Sequence, residues 1–113
     1  MKALIILHTA PDAPGHRAYT ALRLAGAMLA DNKDVTLFLV EDGAQLVAPT
    51  LAADHPCCAL FNELCEAGLI VQLCGGTMQK LGWGETCSRA GVSRSSMKAL
   101  SGLLSESDEI VTF

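Results

Sequence analysis

The sequence predicts an α/β fold, a single three-layer domain with a mainly parallel sheet flanked by helices. Two features lead to it. Residues 3–7 are a continuous aliphatic run, the pattern of a strand buried on both faces, and residues 35–40 are β-branched and apolar. Between them lies a stretch with apolar residues at helical spacing, so strand, helix and strand follow one another as a βαβ unit with a right-handed crossover. The 113 residues suit one core that needs no metal or disulfide staple, so residues 1–113 are read as one domain. No repeat, low-complexity tract or linker divides them.

The first strand, Ala3 to Leu7, stops at His8. A turn-rich stretch from Thr9 to Gly15 leads to a helix carrying Leu22, Ala25, Gly26 and Leu29, which Asp31-Asn32 ends. Val35 to Val40 is apolar and rich in β-branched residues, and Glu41-Asp42-Gly43 cuts it off as a second strand. Ala44 to Ala53, interrupted by Pro49, is expected to be a broken helix or a loop, and His55-Pro56 starts a new element. Cys58, Phe61, Leu64 and Cys65 share the face of a second helix, with Gly68 as its left-handed cap.

Leu69 to Leu73 gives a third strand, which ends at Cys74-Gly75-Gly76-Thr77, and a short helix is expected from about Thr77. Gly82-Trp83-Gly84 marks a loop, followed by a helical turn or two over Glu85 to Ala90, closed by Gly91. Ser93 is expected to cap a final helix whose face includes Met97, Leu100 and Leu104. Ser105 to Asp108 breaks that helix before a last strand from Glu109 to Phe113.

Composition excludes several classes. With 50% hydrophobic and 18% charged residues the chain is far from disorder. The few aromatics suit close packing of helices on a sheet, and the apolar excess fits a subunit interface. A net charge of −4 with scattered Lys and Arg argues against nucleic acid as a partner. The apolar run after Met1 is too short to span a bilayer and reads as a strand, not a signal peptide. Five cysteines, an odd number, favour reduced thiols in the cytoplasm over a disulfide framework. They form no Cys-x-x-Cys pair, so no metal site is expected. No Walker loop, Gly-x-Gly-x-x-Gly or Gly-x-Ser-x-Gly occurs, so no nucleotide, cofactor or serine nucleophile is expected.

Ligands of open α/β sheets bind outside the carboxyl ends of the strands, which here are His8-Thr9, Glu41-Asp42-Gly43 and Cys74-Gly75-Gly76. Cys74 is the candidate nucleophile. Its strand leads directly into a glycine pair and a helix start, where free backbone N–H groups stabilise a thiolate. Gly75 and Gly76 allow a second sulfur or a partner's backbone to approach. His8 could orient or protonate a sulfur species, or be a satisfied polar residue at a strand end. Asp42 and Gly43, with Glu41, form an acidic rim or a solvated turn. Trp83 covers the site or fills an interface, where Trp is enriched. Cys58 and Cys65 are read as core residues. Cys87, in its loop, could pair with Cys74 in a redox sensor.

These parts resemble the DsrE/DsrF-like family, which includes the D-subunit type of the Tus sulfur-relay proteins. The resemblance rests on Lys2 to Ala30 with its Ala21-Leu22-Arg23-Leu24-Ala25, on Val35 to Leu39 leading to Asp42-Gly43, on Val71-Gln72-Leu73-Cys74, and on the closing Ser107 to Phe113. It implies a parallel α/β sheet, homo-oligomers such as trimers or hexamers, and a cysteine that carries sulfur as a persulfide, which matches Cys74. It also implies sulfur-donor and sulfur-acceptor proteins as partners. Cys57-Cys58 and Cys87 lie outside the pattern. The expected function is that of a sulfur carrier or sulfurtransferase-like protein. The alternative is a non-catalytic oligomeric binding module with structural cysteines.

Overall fold

Five strands form one sheet in the order β4-β3-β2-β1-β5, and every neighbouring pair is parallel. The computed structural model describes residues 1–83 and 91–113. The elements are β1 (Lys2–Leu7), α1 (Arg17–Ala30), β2 (Asp34–Leu39), a 3-10 helix (Glu41–Val47), α2 (Pro56–Glu66), β3 (Ile70–Cys74), α3 (Gly75–Lys80), β4 (Val92–Ser95), α4 (Met97–Glu106) and β5 (Glu109–Thr112).

Strand alternation divides the core in two. Ala3, Ile5, Leu7, Val35, Leu37, Leu39, Val71 and Leu73 point to the larger core, which α1 and α2 cover with Leu22, Ala25, Phe61 and Leu64. Leu4, Phe38, Val40 and Cys74 face the other way, into a smaller core that α4 covers with Leu100 and Leu103. Topology accounts for the asymmetry. From β1 to β3 the chain steps one way across the sheet, and right-handed crossovers in one direction place α1 and α2 on one face. The step from β4 back to β5 runs the opposite way, which puts α4 on the other face. None of α4's ten residues is fully buried.

Several local expectations are corrected. Ser93 does not cap the last helix. It lies in β4, and the Ser96 side chain accepts the Ala99 N–H at 3.1 Å as the cap. The polar Val92-Ser93-Arg94-Ser95 pairs with β3 only at the sheet edge, so hydrophobic patterning does not mark it. The short helix starts at Gly75, not near Thr77. The stretch after β2 holds a 3-10 helix that begins at Glu41. The expected turn of helix over Glu85 to Ala90 lies outside the described residues.

Gly43 shows why the 3-10 helix fits there. A Cβ at this position would stand 2.0 Å from the Leu7 carbonyl oxygen, so only glycine lets this turn pass under the end of β1.

Candidate functional site

β3 carries Cys74 to the carboxyl edge of the sheet, and the chain turns there into α3 with Cys74 as the N-cap residue, making no side-chain capping hydrogen bond. Alternation along β3 sends its side chain to the α4 face, where the residue is 6% exposed and belongs to the smaller core. It lines a 340 Å³ cavity together with Val40, Glu41, Gly76, Thr77, Lys80, Met97 and Leu100. Val40 comes from the end of β2, Gly76, Thr77 and Lys80 from one face of α3, and Met97 and Leu100 from α4. A second cavity, of 320 Å³, continues past Glu41, Thr77 and Lys80 to Asp42 and Leu81.

Glu41 stands out on backbone geometry. Its φ of 51° lies in the left-handed region that non-glycine residues seldom occupy. Its N–H donates to the Thr77 hydroxyl oxygen at 3.1 Å, a bond that joins the end of β2 to α3 and holds Glu41 beside the cavity. A Cβ added at Gly76 would lie 3.8 Å from the Cys74 sulfur, so the glycine leaves open the space next to the thiol.

The residues expected at the strand ends are not all gathered here. Cys74 and Gly76 line the cavity, and Asp42 lines its extension. Gly75 is buried, and a Cβ on it would meet the Arg94 guanidinium at 2.7 Å. His8 and Thr9 turn to the C-terminus: the His8 N–H and the Thr9 hydroxyl both donate to the Phe113 carbonyl, at 3.3 and 2.7 Å. Gly43 is buried against Leu7, and Trp83 packs against the larger core, on the far side of the sheet from Cys74. Cys87 lies outside the described residues.

Sequence reasoning did not find Thr77, Lys80, Met97 and Leu100 as cavity residues. A signal for the first two was present, because positions 76, 77 and 80 share a face once the helix starts at Gly75.

The remaining described cysteines sit elsewhere. Burial pushes the Cys57 thiol up, with the Asp12 carboxylate adding to it, and burial alone raises Cys65. Cys57 borders a separate 220 Å³ cavity with Asp12, His16, Tyr19 and His55. Both His55 nitrogens are engaged there: Nδ1 accepts the Cys57 N–H at 3.1 Å, and Nε2 meets the Asp12 carboxylate at 2.8 Å. This cluster ties the loop after β1 to the start of α2. Among the described residues, no group of three or more His, Cys, Asp or Glu is placed to hold a metal ion, and no helix is long and apolar enough to cross a membrane.

Residues 1–113, the whole chain, match the DsrE/DsrF-like family. The chain belongs to that family. This DsrE/DsrF-like chain is 31% identical over 117 aligned positions to an uncharacterized protein of Methanocaldococcus jannaschii, with 100% of both chains covered. It is 33% identical over 99 positions to an uncharacterized protein of Methanopyrus kandleri, covering 86% of this chain and 82% of the relative. Among solved structures, the ychN protein of E. coli superposes with a TM-score of 0.83 at 20% identity, over 100% of both chains. A protein of unknown function from Methanobacterium thermoautotrophicum superposes with a TM-score of 0.76 at 14% identity, over 97% of each. These likenesses establish the DsrE-like fold.

Proposed function

We propose that the chain is a sulfur carrier in which the Cys74 thiolate takes a sulfane sulfur from a donor, holds it as a persulfide and yields it to an acceptor thiol. The observation that carries this reading is the position of Cys74 in a DsrE/DsrF-like chain: a strand-end thiol lining a cavity, at the start of a helix. The thiolate is the attacking form in such an exchange. Open space beside Gly76 accommodates the added sulfur. The exchange moves a zero-valent sulfur between thiols, so it calls for no metal or organic cofactor.

The carrier works as a homo-oligomer, a trimer or hexamer, in the cytoplasm. Support for assembly comes from the thinly covered α4 face, where Ile70 is 52%, Met97 54% and Ile110 45% exposed.

Peptide mass spectrometry after incubation of the reduced protein with inorganic polysulfide tests the carrier reading. The expected result is a gain of sulfur on the peptide containing Cys74 that Cys74→Ser abolishes. Sulfur gained equally by the variant would sink the assignment. In the second reading the same cavity and exposed apolar face serve assembly alone, and Cys74 takes up no sulfur from any donor.

A further inference from the structure

The cavity that Cys74 lines combines an apolar lining with one charge of each sign. Val40, Met97 and Leu100 supply the apolar lining, and Glu41 and Lys80 supply the charges, lining the adjoining cavity as well. Neither Glu41 nor Lys80 forms an ion pair with another described residue. Cys74 is 6% exposed among these residues. The volume of 340 Å³ lies in the small-ligand range.

We infer that the sulfur donor is the persulfide of a free α-amino acid of cysteine size, its ammonium held by Glu41 and its carboxylate by Lys80. The inference rests on the carrier reading and specifies its substrate. Opposite charges lining one cavity match a zwitterion better than they match a simple anion such as polysulfide. The short apolar stem of the amino acid lies against Met97 and Leu100 and delivers the disulfane to Cys74.

The strain at Glu41 fits the same role. A left-handed backbone at a non-glycine residue persists where surrounding structure enforces it, and such residues cluster at ligand sites. Here the Thr77 hydroxyl enforces it through the Glu41 N–H, which makes Thr77 a positioning residue.

The step balances without an external oxidant or reductant. The Cys74 thiolate attacks the outer sulfur of R–S–SH, the new Cys74 S–S bond forms as the donor S–S bond breaks, and R–S⁻ leaves with that bond's electron pair. The proton stays on the transferred sulfur, so the products are Cys74–S–SH and R–S⁻.

The test measures initial rates of Cys74 loading from four donors: inorganic polysulfide and the persulfides of cysteine, cysteamine and 3-mercaptopropionate. The last two lack the carboxylate and the ammonium in turn. In the native protein, cysteine persulfide should load roughly three- to tenfold faster than either truncated persulfide, the range for a charge contact. Lys80→Gln should abolish the advantage over cysteamine persulfide while leaving that over 3-mercaptopropionate persulfide, and Glu41→Gln should do the reverse. Inorganic polysulfide, which carries neither an ammonium nor a carboxylate, reports that Cys74 of each protein still accepts sulfur. Equal loading by the three organic persulfides, or loss of both preferences together in each variant, would overturn the inference while leaving the carrier intact. Failure of polysulfide and of every persulfide to load Cys74 would overturn the carrier reading itself.

Discussion

Cys74 lines its cavity at 6% exposure, and elsewhere in the fold burial pushes the Cys57 and Cys65 thiols up. The two raised thiols give a pH dependence of definite sign. Their folded pKa values exceed the ordinary value of 9.0, so the folded chain binds more protons than the unfolded chain across the gap. Their contribution to stability is therefore complete below the ordinary thiol value and is lost as pH rises through the folded values. Thermal unfolding followed from about pH 8 to about pH 11 should show Tm falling, with a shallower fall in Cys65→Ala; identical slopes would contradict this. Gly43 offers a steric test. The clash of an added Cβ is with the Leu7 backbone and no rotamer relieves it, so Gly43→Ala should cost about 3 kcal/mol in urea unfolding. The cysteine at the strand end was legible in the sequence because an aliphatic run, a thiol and a glycine pair are contiguous. Met97 and Leu100 were not, since they reach the cavity only through the crossing of α4, which is a tertiary fact.

Among the elements, α4 is held differently from α1 and α2. It rests on the sheet through half-buried Leu100 and Leu103, whereas α2 inserts Phe61 at 2% exposure and Leu64 at 6%. Local opening follows buried contact, so amide hydrogen exchange should be faster throughout α4 than in the middle of α1. Comparable protection in the two helices would refute the asymmetry. Phe61→Ala should cost about 3–5 kcal/mol, while Leu100→Ala should cost only about 1 kcal/mol because its side chain is already partly solvated. Three strands, their connecting helices and the last strand were readable from aliphatic runs and helical spacing, and Gly68 at φ 107° marked the end of α2 as a left-handed cap. β4 escaped because Val92 to Ser95 is short, polar and at the edge, where only β3 pairs with it. Its pairing forces the true helix cap three residues on, to Ser96.

For the whole molecule, the sheet order gives the proposed assembly a surface. Ile110, Leu4, Thr36 and Ile70 form one row across β5, β1, β2 and β3, and the α4 side of this row is capped only near its centre, leaving both isoleucines exposed. Sedimentation velocity at micromolar concentration should show an oligomer that the pair Ile70→Lys and Ile110→Lys dissociates; a native monomer would remove this part of the proposal. The central claim is that one thiol at the edge of that sheet holds transferable sulfur. Its most direct test is cyanolysis of the polysulfide-loaded, desalted protein, in which cyanide removes sulfane sulfur as thiocyanate. About one thiocyanate per chain from the native protein and almost none from Cys74→Ser is the result expected of thiol–persulfide exchange at a single site. Equal release from the two proteins would contradict it.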